Sequence, residues 1–311
     1  MSAAPFRFTL QASKCRTVAE VVDVAKRAED LGYHGLTIAD HLDTQVGPLT
    51  TLAAAAQATT TLRVGTLVLA NDYRHPVVLA KEIASLDQLS GGRVIFGLGA
   101  GWAVDDYHQA GIAMDRPGVR IERLTEALEV FEALFSGEPV DHDGTHYQVH
   151  GIVGAPEPVQ KPRPTLLLGG GGKRMLTLAA QRADIVAVNV NLAGGHVDAS
   201  VGPDATAARA DEKIAWIRAA AADRPAPPIL QVRQHLAMVT DDVAPIAELF
   251  GDAFGITPEQ AVQSPFQLVG TIDQIVEMLQ QRRERWGFSD IGLSAEAIDD
   301  LAPVVDRLAG T

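Results

Sequence analysis

One α/β domain folded as a (β/α)8 TIM barrel with insertion segments is the architecture this sequence predicts, on three observations. Short β-rich apolar runs alternate with longer amphipathic stretches from one end to the other, the pattern of repeated βα units. Eight such runs are present, the number that closes a parallel sheet on itself. No Pro-, Gly- or Ser-rich linker divides the 311 residues, so 1–311 reads as a single domain.

The strands are expected at residues 6–12, 35–41, 62–71, 94–102, 165–170, 185–191, 229–240 and 290–295. Val94-Ile-Phe-Gly-Leu-Gly99 and Ile185-Val-Ala-Val188 are almost continuously apolar, as parallel strands are when both faces are covered. The helix ends are legible too. Thr17 with Glu20, and Thr271 with Gln274, have the spacing of a capping box, in which a hydroxyl and a side chain three residues on satisfy orphan N–H groups. The helix after His75 opens on Pro76, whose missing N–H costs nothing there, and stops at Gly91-Gly92. Ile121, Leu124, Leu128 and Phe131 make one apolar stripe, and a C-terminal helix is expected over 296–309. Two segments interrupt the repeat: 139–164, read as a hairpin insertion around Asp143-Gly144, and the Gly-containing loop 192–205. Both adjoin strand ends where barrel loops build sites.

Composition narrows the function. Apolar residues are 47% and charged residues 21% of the chain, which excludes a long disordered protein. No apolar run reaches the roughly 20 residues of a membrane span. Met1-Ser-Ala-Ala-Pro-Phe-Arg7 has no charged head followed by a long apolar stretch, so a cytoplasmic location without a membrane partner is expected. With 26 basic against 39 acidic residues the net charge is −13, which repels nucleic acid and anionic lipid; an anionic cofactor needs a local cationic site. The single Cys15 excludes an intramolecular disulfide and a cysteine metal cage. His142, His146 and His150 recur every four residues, but Asp143-Gly144 breaks a helix there, and a polar hairpin is the reading rather than a metal site. No serine-hydrolase or zinc-enzyme motif is present.

Three segments point to chemistry. Leu167-Leu-Gly169-Gly170-Gly171-Gly172-Lys173-Arg174 runs from a buried strand through four glycines into a helix. Such a turn bares N–H groups at a positive helix end, and the two cations add charge, so it reads as a phosphate cradle; a tight strand-to-helix turn is the alternative. Gly99-Ala100-Gly101-Trp102 ends the fourth strand, where glycines let a flat ring lie against backbone and the indole makes a wall; a barrel constriction with a packed indole is its alternative. Asp40-His41 closes the second strand, at the barrel end where catalytic groups collect, and a histidine there can exchange a proton near neutral pH. His75, just before a helix, reads as a cap or packing residue.

Taken together, Asp40-His-Leu42, Leu62-Arg-Val-Gly-Thr-Leu-Val-Leu-Ala-Asn71, Arg74-His-Pro76, Leu86-Asp-Gln-Leu-Ser-Gly-Gly-Arg93, Gly97-Leu-Gly-Ala-Gly-Trp102, Gly169-Gly-Gly-Gly-Lys-Arg174 and Leu268-Val-Gly-Thr271 resemble the luciferase-like monooxygenase superfamily. More specifically, they resemble its branch that uses the deazaflavin coenzyme F420. The resemblance covers nearly the whole chain and implies a bacterial luciferase-like barrel. It implies that a deazaflavin ring lies across the barrel mouth on a non-proline cis peptide at Leu67-Val68, lined by Leu69, Ala70 and Asn71. It implies that Gly169 to Arg174 hold the cofactor phosphate and that His41 serves cofactor or catalysis, with Asp40 supporting it. Members that oxidise alcohols or sugar phosphates carry a glutamate where this chain has Trp102.

The function expected is therefore coenzyme F420-dependent hydride transfer between the deazaflavin C5 and a small organic substrate, working as a reductase, with Trp102 shaping the substrate pocket. An FMN-dependent luciferase-like monooxygenase is the alternative, and a non-catalytic flavin-binding protein the second. Asp105 and Asp106 are further carboxylates of unassigned direction. The resemblance also implies a homodimer, for which the alanine-rich Leu52-Ala-Ala-Ala-Ala-Gln-Ala58 offers close helix packing.

Overall fold

The computed structural model describes residues 4–43 and 45–311. The barrel begins with β1 (Arg7–Gln11), α1 (Val18–Asp30), β2 (Gly35–Ile38), α2 (Pro48–Ala58), β3 (Arg63–Thr66), β4 (Leu69–Ala70), α3 (Pro76–Ser90), β5 (Val94–Gly99), α4 (Val104–Ala110) and α5 (Pro117–Phe135). It continues with β6 (Pro139–Asp143), β7 (Gln148–Val153), β8 (Thr165–Gly170), α6 (Lys173–Arg182), β9 (Ile185–Val188), α7 (Ala207–Ala220) and β10 (Ile229–Arg233). Then come β11 (Leu236–Val239), α8 (Ala244–Phe254), α9 (Pro258–Gln263), β12 (Gln267–Gly270), α10 (Ile272–Trp286), β13 (Phe288–Ser294) and α11 (Ala302–Leu308).

All pairings of the main sheet are parallel, in the order β3-β2-β1-β13-β10-β9-β8-β5-β4, and β3 also pairs with β5 to close the ring. Because β3 and β4 are two halves of one stave, eight staves result, the expected (β/α)8 barrel. Alternation sorts their side chains. Phe8, Leu10, Ile291, Leu293 and Val232 pack outward with the helices in the large core, while Ile95, Leu167, Ile185 and Ala187 form a second, inner cluster. The helix signals act largely as read, though at α1 Thr17 accepts the Glu20 N–H while the Glu20 carboxylate takes the Arg16 N–H instead of closing a box. Thr271 and Gln274 form a capping box, and α3 starts at Pro76 and ends on Gly91 at φ +66°, a left-handed cap that glycine adopts without strain.

Several boundaries differ from the sequence reading; β2, β5 and β9 each end three residues before the expected 41, 102 and 191. The expected strand 62–71 breaks between β3 and β4, where Leu67-Val68 is cis, and closes in a 3-10 turn over Asn71–Tyr73. The expected strand 229–240 leaves the barrel after Arg233; its second half, β11, pairs in parallel with β12 in a separate two-stranded sheet. The C-terminal helix is shorter than 296–309, because Pro303 in the first turn of α11 starts a new helix after a 3-10 turn at Ala295–Ala297. The expected strand 165–170 is β8 itself, so Gly169 and Gly170 are strand residues and Gly171 and Gly172 the turn. The 139–164 insertion is the antiparallel β6-β7 hairpin, its turn tied to α5 by Glu126, whose carboxylate accepts the N–H groups of Thr145, His146 and Tyr147.

Candidate active site

The C-terminal ends of β1, β2, β4, β5, β8, β9 and β10 surround a cavity of about 480 Å3, a volume suited to a small-molecule or cofactor site. Its floor is set by polar groups that fix the β3-β4 break. Gln11 Nε2 donates to the Leu67 carbonyl at 2.7 Å. Asp40, its side chain only 2% exposed, forms a bidentate pair with Arg74 at 2.5 and 2.9 Å and accepts the Ala70 N–H at 3.1 Å. Asp40 therefore braces the β4 segment rather than His41.

The carboxylate that meets His41 is Asp106, on α4, at 2.7 Å from Nδ1. Asp106 also accepts from the Leu42 N–H and, at 3.5 Å, from Tyr73 Oη. Burial, helped by the charge of Asp106, pushes the Tyr73 phenol up, so that it stays a donor. With Nδ1–H given to the carboxylate, His41 has Nε2 left as its second proton-exchanging nitrogen. Trp102 stands edge-on to the His41 ring at a centroid distance of 5.5 Å, and both line the cavity.

The glycines here differ in purpose. A Cβ on Gly99 would meet Val68 at 2.8 Å, and one on Gly171 would meet the Val190 backbone at 2.3 Å, so packing alone demands glycine at both. Gly172 has an ordinary extended φ of −84°, and a Cβ there would meet nothing nearer than 3.5 Å. Neither strain nor crowding excludes a side chain; open space beside the backbone does remain for a ligand. Gly172 is the cap of α6, whose first N–H groups receive no side-chain hydrogen bond. Lys173 lies 5.8 Å over the Trp216 ring, and Arg174 pairs with Glu122 at 3.0 Å.

Of the sequence-nominated cofactor residues, Leu67, Val68, Ala70, Gly99, Ala100, Gly101, Gly169, Gly170, Gly171, Gly172, Lys173 and Arg174 line this cavity. Leu69 and Asn71 do not: Leu69 is fully buried in the outer core, and Asn71 is turned to Tyr147 Oη at 3.1 Å. Strand alternation explains Leu69, which lies between the cavity-lining Val68 and Ala70. His75 caps α3 by accepting the Val77 N–H, and its ring meets Tyr147 edge-on. His142 binds Glu126 at 3.3 Å, and no cluster fit to hold a metal occurs among the described residues. Gln11, Arg74, Arg120, Asn189 and Arg233 escaped the sequence reading; a polar residue at the inward position ending an apolar strand was the available signal for Gln11 and Arg233.

A closed parallel barrel that draws its polar and glycine-rich strand ends around one cavity is a (β/α)8 barrel of enzyme type. The chain belongs to the luciferase-like monooxygenase family, whose sequence model matches residues 1–250. It is 31% identical over 166 residues to a 5,10-methylenetetrahydromethanopterin reductase of Archaeoglobus fulgidus, a match covering 53% of this chain and 48% of that protein. The chain spans about half the length of the curated relatives it matches. The coenzyme F420-dependent tetrahydromethanopterin reductase of Methanopyrus kandleri shares the fold, with a TM-score of 0.77 at 19% identity, covering 98% of this chain and 100% of that one. So does the oxygenating constituent of 3,6-diketocamphane monooxygenase from a Pseudomonas putida plasmid, solved with FMN, at a TM-score of 0.72 and 17% identity over 99% and 98% of the two chains. No helix among the described residues is long and apolar enough to cross a membrane.

Proposed function

We propose that this chain is a coenzyme F420-dependent oxidoreductase that transfers a hydride to a small organic substrate, working as a reductase. The observation that carries the reading is the union, in one cavity, of an uncapped helix end opening at Gly172 with the His41–Asp106 pair. The residues fit a phosphate-bearing flat ring. The α6 N–H groups and Lys173 would take the phosphate, and the backbone at Val68, Ala70, Gly99 and Ala100 would lie along the ring. When bound, F420 supplies the hydride carrier, with C5 as the carbon that gives or takes it.

The chain's own contribution is position and protons. Gln11 and Asp40 fix the β3-β4 break. Asp106 holds His41 in one orientation through Nδ1, which leaves Nε2 as the nitrogen that can hand a proton to the substrate atom that gains charge. Trp102 stands where alcohol-oxidising relatives carry a glutamate by resemblance, so His41 is the proton donor within reach. FMN is the second reading, supported by the likeness to a monooxygenase solved with FMN and by an anion end that suits either phosphate.

Titration of the purified protein with F420 and with FMN, read by fluorescence quenching, tests the choice. F420 is expected to bind at least tenfold tighter, and the reduced F420 complex to reoxidise with an electron-poor alkene or imine under anaerobic conditions. His41→Ala should slow that reoxidation by about 10^2–10^4, the range of a lost general acid, while leaving F420 affinity within a few-fold. Tight binding without turnover across a broad acceptor panel would leave only a carrier role.

A further inference from the structure

Four cationic side chains besides Lys173 touch or border the cavity, and three of them are occupied by the protein itself. Arg74 is held by Asp40, Arg174 by Glu122, and Arg120 donates to the Asp115 carbonyl at 2.5 Å. Arg233 is different. It ends β10, two staves round from the glycine-rich end of β8, and lines the cavity with Gln11, Ser13 and Asn189. Its Nε, like that of Arg120, is shut from solvent with no hydrogen-bond partner, but unlike Arg120 it gives no hydrogen bond to a carbonyl or carboxylate, and it forms no ion pair, among the described residues.

What the protein gives Arg233 is orientation. Val190 N–H donates to Asn189 Oδ1, which fixes that atom as an acceptor. His235 Nε2 lies 2.9 Å from the same oxygen and therefore carries the proton, leaving Nδ1 as a lone pair 3.4 Å from an Arg233 Nη. Burial, then the Arg233 charge, pushes the His235 pKa down to about 4, so the ring stays neutral at physiological pH. Glu296 acts on Arg233 from beyond contact and cannot share its hydrogen bonds. The guanidinium has more donors than this relay uses, in a place where unused donors are costly.

We infer that Arg233 is the binding residue for an oxyanion of the substrate, so that the small organic substrate carries a carboxylate or an equally acidic oxygen group. A planar fork of donors matches two carboxylate oxygens. Two staves separate this group from the helix end that would take the cofactor phosphate, which leaves the mouth of the cavity between them. The inference rests on reading the cavity as an oxidoreductase site. Should neither F420 nor FMN bind, that reading fails by itself, while anion selection at Arg233 remains measurable.

The test compares benzoate with its neutral isostere benzamide by calorimetry, on free and F420-loaded protein. Benzoate is expected to bind about tenfold or more tightly than benzamide, as 1.5–3 kcal/mol for a charge-assisted hydrogen bond predicts. Arg233→Met should abolish the preference with F420 affinity unchanged; Arg233→Lys should keep part of it, and Lys173→Met all of it. Wild-type protein without the preference overturns the inference before any variant is made. So does a preference that survives Arg233→Met or vanishes in Lys173→Met. A loss of F420 affinity rather than benzoate affinity in Arg233→Met assigns Arg233 to the cofactor and likewise overturns it.

Discussion

On the side formed by β5, β8 and β9, the barrel interior is hydrocarbon: Ile95, Leu167, Ile185 and Ala187 pack together, with Ile229 and the Leu67-Val68 break against them. The side formed by β1, β10 and β13 sends in the buried Thr9, Gln231 and Asp290, with Gln11 and Arg233 two residues further along β1 and β10. These buried polar groups are incompletely satisfied. Thr9 donates to one Asp290 oxygen at 3.0 Å, but the other Asp290 oxygen and both polar atoms of Gln231 find no hydrogen-bond partner among the described residues. The same closed sheet thus has one half that obeys the rule of apolar filling and one that breaks it. The breach lies directly beneath two residues that line the cavity, Gln11 on β1 and Arg233 on β10. Local departures from good packing are expected at sites kept for function, at a cost in stability. The apolar half should therefore behave as structure, and the polar half as a surplus the fold tolerates.

The largest effect should come from the apolar half. Leu167 is fully buried at the centre of the inner cluster, and Leu167→Ala should cost about 2–5 kcal/mol in denaturant unfolding, the range for a large-to-small core change. A cost under 1 kcal/mol would show that the inner cluster is loosely packed and erase the contrast.

That half was legible in the sequence because its residues are the strand signals themselves: Val94 to Gly99 and Ile185 to Val188 are apolar without interruption. The glycine run was legible for a similar reason, since Gly172 has no use in packing and Gly171 no room for anything else. His41 could be found by its place at a strand end. Its partner could not, because Asp106 lies 65 residues away on α4 and only the fold aims it. Asp40 misled for the converse reason: it adjoins His41 in sequence and borders the same cavity, but its carboxylate turns to Arg74 and the Ala70 N–H. The split of 229–240 was hidden because both β10 and β11 are β-rich. What separates them is a pairing with β12, a contact that no local pattern records.

Asp290 offers a change of opposite sign. It is fully buried, and burial raises its pKa from 3.8 to about 6, against the nearby Gln231 amide, which favours the charge without reaching hydrogen-bond geometry, the Thr9 hydroxyl and the Arg7 charge. Between those two pH values the folded protein holds a proton that the unfolded chain releases, so this group's contribution to stability falls as pH rises through the window. Above it the ionised carboxylate costs about 3 kcal/mol, at 1.36 kcal/mol per pKa unit. Asp290→Asn keeps an acceptor for Thr9 and removes the charge. The variant should match wild type near pH 4 and exceed it by about 1–3 kcal/mol at pH 7.5, followed by urea unfolding at both pH values. An unchanged pH slope would mean that Asp290 is already solvated, and the polar half would then not be a burden.

Gln231 gives the smallest and most discriminating effect. Its amide is buried beside Asp290, which it faces in register across β10 and β13, and a buried polar group with no partner costs about 1–3 kcal/mol. Methionine has nearly the same length and no such cost, so Gln231→Met should be neutral or stabilising by about 1 kcal/mol. If the polar half exists for the site, that gain in stability should come with slower reoxidation of reduced F420. The floor beneath Gln11 and Arg233 would have lost the polar layer on which it rests. A variant that gains stability and keeps full turnover would show the polar half to be a tolerated defect. One that loses stability would show Gln231 to be a structural strut whose hydrogen bonds are made through solvent. Because stability and turnover move in opposite directions only in the first case, the two measurements together separate a functional exception from an imperfect core.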